Sequence, residues 1–540
     1  MDRDFLRRRT ATTRSRNEPP MTDQDAVAAY DPDLASVWNE LIFGIVRPVG
    51  VDRDRFVSAL TQQLSTFGYV VHRVHLSELF SEMYMSNAPQ LKNMSEADRI
   101  NSLIDAGDEL CERSGTAAAV ALCGVLDIRE RRRDADPALD RVAYILDSIK
   151  RVEEVYQLRN LYGDRYIQFG LQSADDNRRS FLISKERSKS FAKTAGEIES
   201  SVSILMERDL RESSSFGQNT MRSFPLSDVF VDMDSDPERQ IARFADLLFG
   251  RPEYPVPTCE EYGMQLATIS STRSPELGLK VGAAILAEDD RVIAMGVNAH
   301  PEEKTQSPAF DENASDIGKL ILDTIQNLAP NYLNESAQEK LEEDPDGFTR
   351  ELLDGALKSA QIRDLTEFQP TVHAEMSALL DAIHAQSSLK DVTMYVTAYP
   401  CHGCAKHLVA LGLPVVYLEP YPKSRAATMY GRTVSKTFRA FTGVAPTRYQ
   451  KLFAVVEDRK LSDGTRKSWT DTERKLADPK VDSNVTISLI NEREVTAIER
   501  LPDPQELDLS RGGVDVVPEG NTESNEGDGV PSDTASDVED

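Results

Sequence analysis

Apolar and polar positions follow two rhythms through residues of about 38 to 235. LIFGIV, ahead of the turn-forming RPVG, is an unbroken apolar run, as expected of a strand covered on both faces. DRDRFVSALTQQLSTFG places Phe56, Leu60 and Leu64 at helical spacing and stops at Gly68. YVVHRVHL reads as a second strand and RVAYILDSI as a third, the latter carrying Asp147. VEEVYQLRNLYG is a helix closed by glycine, and RYIQFGLQ a further strand. Strands alternating with helices predict a parallel sheet with helices on both faces.

A second region, about 240 to 500, has a different order. LKVGAAILAEDDRVIAMGVN predicts two strands joined at the polar turn EDD. A mostly helical stretch covers about Asp316 to Ala360. A helix in HAEMSALLDAIHA, a strand in VTMYVTAY, a helix in GCAKHLVALG and a strand in PVVYLEPY follow. A hairpin followed by α–β–α–β predicts a compact three-layer α/β/α unit.

Outside these regions the rhythm is lost. Residues 1–35 are polar and Arg-rich without the apolar core of a secretory signal, and read as a disordered tail. Residues 503–540 are acidic and poor in large apolar side chains, and read as a second, solvated tail. The most apolar stretch, TAAAVALCGVLDI, is too short to span a bilayer and reads as core. The basic run RERRRD, Arg129 to Asp134, reads as a solvated loop.

With 40% hydrophobic and 28% charged residues over 540 positions, the chain has material for two to four packed domains. Its net charge of −28 counts against a long polyanionic partner, because nucleic-acid affinity comes from neutralising phosphates. A small nucleotide held by a few donors remains compatible with it. Five cysteines form no disulfide framework and fit a reducing cytoplasm. Cys111, Cys123 and Cys259 stand in apolar or loop contexts and read as inert.

The other two cysteines carry chemistry. His373, Cys401 and Cys404 are three donors suited to zinc, whose catalytic sites keep a fourth position open. The Cys-x-x-Cys spacing lets both sulfurs reach one ion at a helix N-terminus, where thiolate is favoured. Glu375, two residues past the histidine, is placed to take a proton from an activated water and return it to substrate. A structural zinc would need another protein ligand, for which His402 and His407 are the local candidates.

H-x-E followed by P-C-x-x-C is the signature of zinc nucleobase deaminases. TVHAEMSALL with PCHGCAKHLVALGLPVVYLEPYPKS resembles the deoxycytidylate deaminase branch of the cytidine deaminase superfamily. The wording CHGCAKHL and EPYPKS is most similar to two-domain bacterial cytosine-nucleotide deaminases of anti-phage defence. The resemblance implies hydrolytic deamination of dCMP or dCTP and depletion of dCTP. It implies zinc on His373, Cys401 and Cys404, with Glu375 as proton shuttle. Asn298 matches a residue that contacts the substrate sugar; Lys423 and Ser424 are candidates for phosphate. The strand start GLKVGA keeps Lys280 but lacks the Ser and Arg common in relatives, which leaves mono- and triphosphate open. Deamination of a base within tRNA or single-stranded DNA, and a non-catalytic nucleotide-sensing regulator, are the alternatives. A homo-oligomer restrained by an RNA, protein or nucleotide inhibitor is expected.

The first region resembles nucleoside-monophosphate kinases in fold. FGIVRPVGVDRDRF lies where a P-loop would, and Gly44 and Gly50 are its candidate nucleotide-binding residues. It has no Lys-Ser/Thr pair, and Asp52 and Asp54 would repel phosphate. Little or no phosphoryl transfer is expected, and a gating role over the deaminase rests on domain pairing alone.

Overall fold

The computed structural model describes residues 39–134, 141–189, 193–210, 216–251, 256–302, 312–357, 360, 362, 370–418, 426–454, 459–482 and 486–511. The readings of 1–35 as a tail, and of most of 503–540, lie outside these residues.

The fold is mixed α/β with two sheets. The first comprises β1 (Leu41–Val46), β2 (Val70–His75), β3 (Val142–Ile149), β4 (Tyr166–Gln172), β5 (Val229–Asp232) and, from far along the chain, β11 (Gly443–Val444). Their order is β11-β5-β4-β1-β3-β2, parallel throughout except at β11. All six residues of β1 are buried, because helices cover both faces of the central strand. Ile42 and Val46 face one apolar cluster; Leu41, Phe43 and Ile45 face another.

The second sheet comprises β6 (Gly282–Ala287), β7 (Val292–Val297), β8 (Val392–Val396), β9 (Val415–Tyr417) and β10 (Phe438–Ala440). Its order is β10-β9-β8-β6-β7, with β6 antiparallel to both neighbours and β8, β9 and β10 mutually parallel. Ala283, Ile285, Met394 and Val396 pack against helices Ala374–His384 and His402–Leu411. The alternate positions Ala284, Leu286 and Tyr395 pack with Met264 and Ala267 of helix Cys259–Ser271. The stretch from Asp316 to Ala360 is broken into helices Glu312–Tyr332, Glu335–Glu343 and Pro345–Asp354, with Asn334 and Asp344 capping the second and third.

The boundary between the regions differs from the sequence reading. Helix Pro237–Leu248 buries Ile241, Phe244 and Leu248 in the first unit's core. After β10 the chain returns to the first sheet as β11, and helix Pro446–Phe453 adds Leu452 to the same core. Helix Ile487–Ile498 and Leu509 join the core that holds Phe80, Tyr84 and Leu122. The second sheet and its helices therefore lie within about 257–440, and the described residues of 441–511 complete the first unit. Local periodicity identifies each segment but not which sheet receives it. Residues 503–511 also depart from the expected solvated tail: Asp508 accepts from Ser86 N at 3.1 Å, and Leu509 is buried.

Arg129 to Asp134 form the last turns of helix Ala119–Asp134 rather than a loop. Arg132 reaches both Glu40 and Glu494 at 2.8 Å, tying helix Ile487–Ile498 to the first unit. The units meet at Glu261, fully buried, which accepts from Arg243 Nη1 and Nη2 at 2.7 and 2.6 Å and from Val444 N at 2.8 Å. No helix among the described residues is long and apolar enough to cross a membrane.

Candidate metal centre

Two helix N-termini converge beside the second sheet. His373 is the N-cap of helix Ala374–His384, with extended backbone (φ −68°, ψ 153°). The helix lies directly on β7 because Gly296 has no side chain; a Cβ there would collide with Ala374 O and Ala378 N. Cys401 is the N-cap of helix His402–Leu411, and its Sγ accepts from Cys404 N at 3.4 Å. The loop carrying it leaves the carboxyl end of β8. Tyr399 steadies that loop, its ring edge-on to Tyr417 at 4.7 Å. Sequence reasoning missed Tyr399, since an aromatic before a loop carries no signal of its partner.

His373 Nδ1 lies 3.3 Å from Cys401 Sγ and 3.5 Å from Cys404 Sγ, and the three donor atoms all fall within 4.8 Å of one another. Tetrahedral zinc with ordinary Zn–N and Zn–S bonds separates its ligands by about 3.4–3.8 Å, so the donors present fit the ion. The shared protons point the same way. Its hydrogen bond with Cys404, then that with His373, holds the Cys401 thiol well below its ordinary range, against burial. The bond with Cys401, together with burial, pushes Cys404 up. A cation replacing those protons would satisfy both sulfurs.

Glu375 occupies the first turn of its helix and is only 4% exposed. Burial raises its carboxyl above the usual range, while His373 opposes the shift. Among the described residues the donor group comprises His373, Cys401 and Cys404 and takes in neither His402 nor His407; His407 is exposed. Three protein donors beside a buried carboxylate are the arrangement of an open, hydrolytic zinc site rather than a closed structural one.

Asn298 lies at the same edge: the bridge between Ala299 and Val372 lays it beside His373. Its side chain is already engaged, Oδ1 accepting from Val281 N at 2.7 Å and Nδ2 donating to Leu279 O at 2.8 Å. It pins the loop that leads into β6, leaving one amide hydrogen uncommitted by these bonds. Lys280 is exposed on that loop. Lys423 and Ser424 lie outside the described residues.

The first unit does not use its candidate glycines as a phosphate loop would. Gly44 is inside β1, not in the loop, and its missing side chain makes room for the Tyr166 hydroxyl. Gly50 is in the loop, at φ +90°, where a Cβ would collide with the Arg178 carbonyl oxygen. Asp52 caps the following helix by accepting from Asp54 N and Arg55 N. Asp54 pairs with Arg73 at 2.8 Å. The N–H groups a phosphate would use at that helix are thus met by the protein's own carboxylate. Asp147, fully buried at the end of β3, receives Arg53 at 3.1 Å, Arg73 at 2.9 Å and His75 at 3.4 Å, with Arg47 at 3.8 Å.

A two-sheet α/β protein with three convergent zinc donors and a buried acid defines a zinc hydrolase. Residues 257–419 match the family described as "Cytidine and deoxycytidylate deaminase zinc-binding region". Deoxycytidylate deaminase of Enterobacteria phage T4 is 28% identical over 171 residues, 30% of this chain and 78% of that protein. The Mus musculus deoxycytidylate deaminase is 25% identical over 187 residues, 34% of this chain and 79% of that protein. A crystal structure of dCMP deaminase from cyanophage S-TIM5 aligns at 16% identity and a TM-score of 0.20, over 34% of this chain and 97% of that one. The match to that family is confined to residues 257–419, and with the convergent donors His373, Cys401 and Cys404 it makes the protein a zinc-dependent hydrolytic deaminase of a cytosine-type base.

Proposed function

We propose that the substrate is a free deoxycytidine nucleotide, dCMP or dCTP, converted to dUMP or dUTP. The observation that carries this reading is Glu375, buried beside the convergent donors His373, Cys401 and Cys404. The named relatives are deoxycytidylate deaminases, and the net charge of −28 disfavours a polynucleotide.

Zinc, when bound, makes water nucleophilic at neutral pH. Glu375 takes the proton of the attacking water and delivers it to the ring nitrogen N3. It then carries a second proton to the amine at C4, which leaves as ammonia while oxygen stays on carbon. Burial suits Glu375 to both directions of transfer, because it brings the carboxyl nearer the working pH. Asn298 offers its remaining amide hydrogen to the sugar, and Lys423 and Ser424 are assigned to phosphate. The second unit is read as a three-layer deaminase-like domain and the first as a degenerate P-loop kinase-like domain. The strand order β2-β3-β1-β4-β5 supports the latter, with Asp147 beside the end of β1.

The wider reading is a cytoplasmic homo-oligomer that depletes dCTP during viral infection, restrained otherwise by an RNA, protein or nucleotide inhibitor. It rests on the resemblance of CHGCAKHL and EPYPKS to anti-phage deaminases. Incubation with dCMP, dCTP, CMP and CTP separately, followed by chromatography of cytosine and uracil products, tests the substrate. Uracil from a deoxynucleotide, absent with Glu375→Ala, is expected. Product only from oligonucleotides would refute it. The dCTP pool of cells expressing either form tests the wider reading.

A further inference from the structure

A second carboxylate stands at the approach to the zinc donors. Glu276 belongs to the loop between helix Cys259–Ser271 and β6, and is half-buried. Its Oε1 accepts from the Thr371 hydroxyl at 2.9 Å. Val372 is bridged to Ala299 and His373 has extended backbone, so side chains alternate along 371–373. Thr371 therefore projects to the same side as His373, and the Glu276 carboxylate is held on that side, next to the donor set.

The loop that carries Glu276 is braced on both sides of it. Ser274, buried, donates its hydroxyl to Asn298 O at 2.9 Å and accepts from Glu276 N at 3.3 Å. Asn298 in turn accepts from Val281 N and donates to Leu279 O. One strand end thus fixes the residues before and after Glu276, and the carboxylate is aimed without help from a ligand. Its second oxygen, Oε2, makes no hydrogen bond or ion pair among the described residues. Beyond it the loop borders open space: among the described residues, a side chain at Gly278 would meet nothing within 4 Å.

We propose that Glu276 is a specificity-determining residue, whose Oε2 accepts the hydrogen of the nucleotide's 3′-hydroxyl. This rests on the reading of a free deoxycytidine nucleotide as substrate, and deepens it. The base of such a nucleotide goes to the zinc donors and Glu375. Its phosphate is repelled by a carboxylate, which accepts hydrogen bonds and donates none. The group left that can donate is the 3′-hydroxyl. A hydroxyl both gives and takes a hydrogen bond, and the uncommitted amide hydrogen of Asn298 is the donor that matches the acceptor on Glu276. Within a polynucleotide the 3′-oxygen is esterified, has no hydrogen to give and carries a phosphate. The same carboxylate therefore favours a free nucleotide and turns a polymer away.

Steady-state kinetics of the zinc-loaded full chain test it, with the deoxycytidine nucleotide that is turned over and the 3′-deoxy analogue of the same phosphate state. The wild type is expected to favour the 3′-hydroxyl compound by about 10–100-fold in kcat/KM, the worth of one hydrogen bond to a charged group. Glu276→Ala should lose most of that preference, through a raised KM for the hydroxyl compound, with the analogue unchanged. Glu276→Gln, which keeps an acceptor oxygen, should retain part of it. Calorimetric titration with the uracil product and its 3′-deoxy analogue should show the same pattern without turnover. Zinc content and melting temperature close to wild type check that site and fold are intact. A wild type indifferent to the 3′-hydroxyl overturns the proposal, whatever the variants do. So does a preference undiminished in Glu276→Ala, or an equal loss for both compounds, the mark of a carboxylate that only braces the loop. Turnover of no free nucleotide by the wild type would instead overturn the substrate reading, and this inference with it.

Discussion

The carboxyl edges of the two sheets carry charge in opposite ways. At the first, Asp147 is surrounded by Arg47, Arg53 and Arg73, with the His75 imidazole at 3.4 Å, so that carboxylate is answered by guanidinium groups of the protein itself. At the second, His373, Cys401 and Cys404 converge on a point that none of them occupies, with the histidine within hydrogen-bond distance of both sulfurs. Self-neutralised charge holds a fold together. Donors of like kind forced together store affinity for something that is not part of the chain. The lesson is that burial and perturbed ionisation do not by themselves mark an active centre; Asp147 and Glu375 are both buried, and what separates them is what surrounds them.

The largest effect should come from the second edge. Glu375→Gln keeps the volume and removes the proton carrier, and deamination is expected to fall by about 10²–10⁴-fold while zinc stays bound. Metal analysis beside a turnover assay would check both, and unchanged turnover would put the two edges on the same footing. Next in size, Cys401→Ser should reduce zinc from one per chain to a small fraction and lower the melting temperature of the purified protein. Retention of stoichiometric zinc would mean that another residue completes the set.

The joint between the units gives a third measure. Glu261→Ala leaves Arg243 and Val444 N without their acceptor and should cost about 3–5 kcal/mol, read from urea unfolding. Gly44→Ala places a methyl against Tyr166 and should cost about 1–3 kcal/mol. If instead it leaves stability alone and abolishes nucleotide binding, Gly44 acts as a phosphate-loop glycine after all.

The smallest effect is a titration. Burial would raise the Asp147 carboxyl, but Arg47, Arg53, His75 and Arg73 overcome it and hold the group at about 2. A folded value below the ordinary carboxylate value means that its stabilisation is complete above about pH 4 and disappears as pH falls toward 2. It amounts to about 2 kcal/mol. Unfolding free energy measured from pH 5 downward should decline over that window, and Asp147→Asn should flatten the decline. An unchanged slope in the variant would show that the arginines do not depend on this carboxylate.

Much of this was legible beforehand. β1, helix Arg53–Thr66, β3, the β6–β7 hairpin and the two helices of the metal site fall where apolar spacing and glycine stops put them. The zinc donors were legible because ligand chemistry restricts residue type and spacing together. Gly44 was legible as a strand residue within LIFGIV, but sequence does not show Tyr166 lying across it. The arginine run was misread because its partners, Glu40 and Glu494, are 92 and 362 residues away. Asn298 was read as a contact to the substrate sugar; its hold on the 279–281 loop leaves no signal in the sequence.

The amino-acid sequence by itself determined the local elements and the donor set, since helical period, strand length and metal-ligand chemistry are short-range properties. Only the tertiary structure decided that residues 441–511 return to close the first sheet, that the units are joined through Glu261, and that Asp147 is locked while Glu375 stands beside an ion site. Those outcomes depend on contacts between segments hundreds of residues apart, whose free energy is set by mutual burial and charge pairing and leaves no periodic trace along the chain.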